Sequence, residues 1–132
     1  AASGVTSVFG DRIDPISKDR RFHYGIDLKG RYGQAVHAAA AGKVLFAGWR
    51  GGHGRRVVIR HEGGVQTAYS HLANVLVRPG SSVMRGQDIG QLGDSGRTTG
   101  PHLHFELRHA GSYLDPLDYL GESLALRVAD RR

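Results

Sequence analysis

Residues Gly100 to Arg108, reading Gly-Pro-His-Leu-His-Phe-Glu-Leu-Arg, constrain the fold more than any other stretch of this chain, because polar and apolar side chains alternate through them. Successive side chains of a β-strand point to opposite faces. His102, His104, Glu106 and Arg108 therefore share one face, and Leu103, Phe105 and Leu107 share the other. A strand that buries the three apolar residues in a core must present two imidazoles side by side on a rigid element, as a metal or catalytic site requires.

The rest of the chain is punctuated to surround such a strand with others like it. Twenty glycines against four prolines in 132 residues favour short strands joined by tight turns over long helices. Gly42 to Gly48 reads as a strand bracketed by glycines, with Gly51-Gly52-His53-Gly54 as the loop after it. Arg56 to His61 and Val65 to His71 form a hairpin pattern around Glu62-Gly63-Gly64. In the second of these runs, alternation places Val65, Thr67, Tyr69 and His71 on one face. Asp88 to Gly93 reads as another short strand, and Pro79-Gly80 as a turn. Asp115-Pro116 supplies a capping carboxylate and a first-turn proline for one short helical turn to Leu120. The pattern predicts an all-β domain over residues 1–120, an antiparallel sandwich or partly open barrel, with residues 121–132 as a helical or disordered tail. This length suits one domain with a core of its own.

Bulk charge narrows the partners only a little. Lys and Arg number 18 against 12 acids, a formal charge of +6 that suits anionic polymers. No basic cluster is interleaved with aromatics as a base-stacking platform needs, which argues against nucleic acid. Cysteine is absent, so any metal must be held by nitrogen and oxygen. No apolar run reaches the ~18 residues of a membrane span, and Ala1 to Gly4 has no signal-peptide pattern, so any export signal or anchor is expected to have been removed or never to have been present. Nothing in the sequence sets an oligomeric state.

Three constellations can carry chemistry. The first is His23-Tyr24-Gly25-Ile26-Asp27. Gly25, Gly30 and Gly33 argue against a helix there, and on a straight strand the two side chains would stand ~13 Å apart, so sharing an ion needs a bend near Gly25. The second is the His102/His104 pair. The third is His71, at the end of a hairpin strand. His37, His53, His61 and His109 repeat no ligand spacing and read as surface residues, with His53 in a glycine loop that lines a groove if there is one. Glu106 reads either as an acceptor for a site imidazole N–H or as a surface ion-pair partner of Arg108 or a neighbour. Tyr69 reads as core packing at the sheet rather than as a substrate contact.

Taken together, these segments resemble the lysostaphin-type zinc metallopeptidases, the LytM or M23 peptidases, over nearly everything from Val8 to Leu120. Ser7 to Arg12 looks like the family's opening segment. His23-Tyr24-Gly25-Ile26-Asp27 matches its His-x-x-x-Asp motif, and Ala35 to Val44 resembles the next block. Thr67 to Leu72 and Gly96 to Glu106 match the last two. Carried over position by position, the resemblance implies Zn2+ held by His23, Asp27 and His104, with His71 and His102 as the catalytic pair; which of the two is the base stays open. A zinc-activated water would then hydrolyse an amide, with activity expected to fall below pH ~6.5, the ordinary histidine pKa. The implied substrate is the peptide part of bacterial peptidoglycan, taken in a groove in the cell envelope and cut at cross-links or interpeptide bridges. The competing readings are a non-hydrolytic wall-binding or amidase-activating module of the same fold, and a phosphocarrier-like sandwich in which two facing histidines pass a phosphoryl group. The first predicts a degraded ligand set; the second leaves His23 and Asp27 without a purpose.

Overall fold

A computed structural model describes residues 5–13, 20–98, 100–120 and 128. The expected reading of residues 121–132 as a tail lies outside these, apart from Val128, which is buried in the core.

The strands are β1 (Val5–Ser7), β2 (Gly10–Ile13), β3 (Arg20–His23), β4 (Ile26–Lys29), β5 (Ala35–His37), β6 (Gly42–Trp49), β7 (Arg55–Arg60), β8 (Val65–Val75), β9 (Ser82–Val83), β10 (Asp88–Leu92), β11 (His102–His109) and β12 (Ser112–Leu114). One short helix, α1 (Pro116–Leu120), follows; the Asp115 carboxylate accepts the Leu117 N–H at 3.0 Å and caps it. The main sheet runs β1-β4-β11-β8-β7-β6-β9, with β12 paired to β11 and β5 reached through β10 from β8; β2 and β3 form a separate ribbon. Every described pairing is antiparallel. The expected all-β, open antiparallel architecture is the one found.

The alternating strand read from the sequence is β11, and it lies between β4 and β8. Leu103 and Phe105 are fully buried and Leu107 nearly so, in a core shared with Ile26, Leu28, Val57, Ile59, Tyr69 and Leu72. Burying an apolar side chain of this size is worth ~1.5–3 kcal/mol. That burial fixes β11's other face, and with it His102, His104 and Glu106. Tyr69 is wholly buried, edge-on to Phe105 at 5.2 Å, with its hydroxyl 2.9 Å from the Ala39 N–H. It is core, as alternation and size suggest.

The alternation of β8 does not run on to His71. His71 has φ 67°, the left-handed region that a non-glycine residue occupies only under constraint. The register against β7 slips at the same place, from Val57↔Tyr69 to Arg55↔Leu72. This is a β-bulge, and it moves His71 off the core face of Tyr69. Ser70 and His71 both serve the polar side, after which Leu72 returns to the core.

Two histidines expected at the surface are not there. His37 is buried, its Nδ1 2.8 Å from the Asp88 Oδ1, and His61 sits half-buried between the Ala41 carbonyl and the Thr67 hydroxyl. Both lie where strands adjoin, and sequence spacing carries no signal for such pairing.

Candidate active site

β3 stops at His23 and β4 begins at Ile26, so the chain turns at Tyr24-Gly25. The turn is the bend that the His23/Asp27 spacing demanded. A side chain at residue 25 would drive its Cβ into the Phe105 carbonyl oxygen and come within 2.9 Å of Glu106 Cγ and 3.1 Å of His104 Cε1. Glycine is required there by close approach to β11. Asp27, on β4, stands directly opposite His104 on β11, which stands opposite Ser70 on β8.

These pairings bring three ligand-type atoms together. His104 Nδ1 lies 2.9 Å from Asp27 Oδ1, His23 Nε2 lies 3.5 Å from the same oxygen, and the two imidazole nitrogens are 3.3 Å apart. All three atoms fall within 4.8 Å of one another. The other nitrogen of each imidazole is committed elsewhere. His23 donates Nδ1–H to the Val8 carbonyl at 2.7 Å, and His104 donates Nε2–H to Glu106 Oε2 at 2.8 Å. Since neither oxygen can donate, those nitrogens carry the protons, and His23 Nε2 and His104 Nδ1 are the nitrogens turned to Asp27; His104 Nδ1–H donates to the carboxylate, and loss of that proton would free a lone pair for an ion. Two oriented imidazoles and a carboxylate, with no thiolate, are the donor set of a catalytic zinc site with a position left open for water or substrate.

The other two histidines are anchored in the same manner. His71 donates Nδ1–H to the Ser95 carbonyl at 2.8 Å, and His102 donates Nδ1–H to the Gly100 carbonyl at 2.8 Å. Each keeps Nε2 available. His102 Nε2 is 3.7 Å from Asp27 Oδ1, and the His71 and His102 rings are 5.1 Å apart. The structure thus gathers all five sequence-predicted residues, His23, Asp27, His71, His102 and His104, around one point.

Electrostatics separates their roles. Burial alone would raise the Asp27 carboxyl, but hydrogen bonds to His104 and His23 outweigh it and hold the group ionised well below the ordinary carboxylate range. Burial pulls His104 down, yet its bonds to Asp27 and Glu106 lift it to about 9. His71 feels burial chiefly and is pushed down to about 4, so it is neutral at pH 7.

Glu106 takes the acceptor role proposed for it, and its ion pair is a buried one with Arg56 rather than a surface pair with Arg108. Beside its bond from His104, it accepts the Arg56 Nη2–H at 2.8 Å, while Arg56 Nη1 donates to Ser70 Oγ at 2.8 Å. Burial would raise Glu106, but its bond with His104 and the Arg56 charge bring it to about 2. His53 is half-buried against this group, its Nδ1 3.2 Å from Arg56 Nη1 and its ring 6.1 Å from that of His104. Burial first, and Arg56 second, push His53 down to about 4. His53, His104 and Glu106 also lie close enough to hold a cation. Arg56 already supplies the positive charge there, and His104 Nε2 spends its proton on Glu106, so this trio positions His104 instead.

His53, read as lining a groove if there is one, does line a cleft beside Arg56, whereas Arg56 and Ser95 were not singled out from spacing. Their one sequence signal is the glycine content of two loops that must nest: a Cβ on Gly54 would strike Ser95, and one on Gly96 would strike the Gly54 nitrogen. The nested loops place the Ser95 carbonyl against His71.

Three comparisons bear on this arrangement. The model of Peptidase family M23 matches residues 21–116, which contain all five residues. The chain is 41% identical over 127 residues to the DD-carboxypeptidase/endopeptidase Mpg of Neisseria meningitidis serogroup B, covering 96% of this chain and 29% of that protein. It is 41% identical over 112 residues to the murein hydrolase activator NlpD of Escherichia coli, covering 84% of this chain and 29% of that one. A zinc-containing peptidase from Vibrio cholerae superposes with a TM-score of 0.78 at 37% identity, over 84% of this chain and 35% of the other. The chain therefore spans under a third of the length of these two curated relatives. Matched over residues 21–116, most of its length, the chain belongs to peptidase family M23.

Proposed function

We propose that this chain is a zinc-dependent endopeptidase that hydrolyses amide bonds in the peptide part of bacterial peptidoglycan. The observation that carries the reading is the completeness of the site. Three ligand atoms converge, and two further imidazoles, each tied at Nδ1 to a backbone carbonyl, keep Nε2 for proton work beside them.

His23, Asp27 and His104 would hold the ion. Zinc so bound supplies Lewis-acid polarisation of the scissile carbonyl and makes a water acidic enough to act near neutral pH. His71, neutral at pH 7 through burial, accepts the proton from the attacking water at Nε2. The proton then passes to the leaving amine. His102, carrying a second proton taken from solvent before the reaction, would donate from Nε2 to the oxygen on which negative charge develops and keep that proton when the carbonyl reforms. Both side chains are aimed by backbone carbonyls, so little reorientation is needed as the reaction proceeds.

The bond we favour is the cross-link between D-alanine and a diamino acid, in keeping with the D,D activities in Mpg's name. The bacterial cell envelope is the matching location. Among the described residues no helix is long and apolar enough to cross a membrane. The second reading, an amidase-activating module, is favoured by the likeness to NlpD. It gives no role to the catalytic pair, which this chain retains in full. The test is digestion of purified peptidoglycan with and without a chelator, with mass analysis of the soluble products and elemental analysis for zinc. Chelator-sensitive release of products cut at the cross-link is expected. A zinc-loaded chain that releases nothing yet stimulates an amidase would establish the second reading.

A further inference from the structure

The polar face that carries His102 and His104 does not end at Glu106. Beyond it lies an open cleft of about 240 Å³ whose lining includes Arg50, Arg56, Arg108, Gln66 and Tyr113, with Glu106 at the boundary with the metal-ligand cluster. Ala68 and Val58, paired across β8 and β7, continue the same sheet surface as its floor. The three arginines are not equivalent. Arg56 is neutralised by Glu106. Arg50 and Arg108 are exposed, and among the described residues neither takes an ion-pair partner. Each is instead stacked on a ring, Arg50 over Phe46 at 5.3 Å and Arg108 over Tyr113 at 5.1 Å. Stacking restrains a guanidinium while its in-plane N–H donors stay free for a planar anion.

We propose that this cleft is a specificity subsite that binds a carboxylate of the peptide substrate away from the scissile bond; the inference rests on the peptidase reading above. Arg108 is four residues from His104 on β11, ~13 Å at the rise of a strand, or the span of about four extended peptide residues. A substrate lying along β11 with its scissile carbonyl at the metal ligands therefore brings a carboxylate up to about four residues away between Arg50 and Arg108. Fork-shaped guanidinium donors suit a carboxylate, and the Glu106 carboxylate is unavailable to compete because Arg56 and His104 already occupy it. Stem peptides of cell walls are rich in such carboxylates, and amidating them removes the charge while keeping the shape.

The probe is a purified cross-linked muropeptide, used as isolated and after conversion of its carboxylates to carboxamides with carbodiimide and ammonia. Binding is measured by calorimetry on the zinc-loaded His71→Ala variant, and cleavage on the unsubstituted chain. The acid form is expected to bind at least ~10-fold more tightly and to show the correspondingly lower KM. Arg50→Gln with Arg108→Gln should erase that preference with zinc content intact, whereas Arg78→Gln with Arg85→Gln, which removes equal charge outside the cleft, should keep it. Equal affinity for the two forms, or equal loss in both double variants, overturns the subsite. If neither form is cut but the preference in binding persists and depends on Arg50 and Arg108, the subsite stands and the peptidase reading falls.

Discussion

His104 donates its Nε2–H to Glu106 Oε2 over 2.8 Å, and this bond decides which of its nitrogens faces Asp27 and His23. Glu106 is itself held by Arg56, which also grips Ser70, so the His104 imidazole on β11, the zinc ligand we propose, is oriented through β7 and β8. The ligand geometry is thus a property of three adjacent strands.

Glu106→Gln keeps an acceptor near His104 but loses the charge and the pairing with Arg56. Zinc affinity should fall ~10–100-fold, the usual consequence of removing a ligand's hydrogen-bond partner. Competition with a fluorescent chelator measures it; unchanged affinity would mean that His104 is oriented by packing alone.

The division between ligands and proton carriers predicts opposite phenotypes for two alanine variants. His104→Ala should lose stoichiometric zinc. His71→Ala should retain zinc at the level of the unsubstituted chain while turnover falls ~100-fold or more. Elemental analysis beside a peptidoglycan digestion assay reads both, and a metal-free His71→Ala would reverse the assignment.

Gly25→Ala places a methyl group against the Phe105 carbonyl and the His104 ring. Neither backbone can yield without moving β11, so a loss of about 2–3 kcal/mol in unfolding free energy is expected together with weaker zinc binding. Urea denaturation of the zinc-free protein isolates the first effect. A stability within about 0.5 kcal/mol of the parent would show that the turn can relax.

Proton linkage predicts a stability maximum for zinc-free protein. His53 and His71, each held near 4 by the fold against an ordinary 6.5, refuse protons that the unfolded chain takes up, so stability falls as pH drops from 6.5 toward 4. His104 acts in the opposite sense. Lifted to about 9, it contributes fully below 6.5 and loses that contribution as the pH rises to 9. The Glu106 contribution is present above its ordinary value of 4.5 and is lost only as pH falls toward about 2. Thermal melts of chelator-treated protein between about pH 4 and 9 should therefore peak near about 6.5; a steady rise to the alkaline end would contradict the His104 assignment. With zinc bound, burial should still keep the acid limb due to His71 below the ordinary imidazole range.

What sequence could reveal followed from period and spacing. Alternation alone placed Leu103 and Phe105 inward and His102 and His104 outward, because both faces of β11 are single-minded. The bend at Gly25 was a geometric necessity before it was seen. The same alternation failed at His71, because a bulge depends on a left-handed φ and on the register of a partner strand, neither of which is written in local residue order. Arg56 was hidden for a related reason. Its partners Ser70 and Glu106 are 14 and 50 residues away, and only the strand order β11-β8-β7 makes them neighbours.

The bulge at Ser70 and His71 also acts as a phase shifter. Upstream of it odd-numbered residues such as Thr67 and Tyr69 are core; downstream the even-numbered Leu72 is. Deleting a single residue there would restore a regular strand and leave Leu72 on the core face, now two positions after Tyr69. The extra residue is therefore what lets β8 present Ser70 and His71 in succession to the polar side without shifting the core pattern on either side of them.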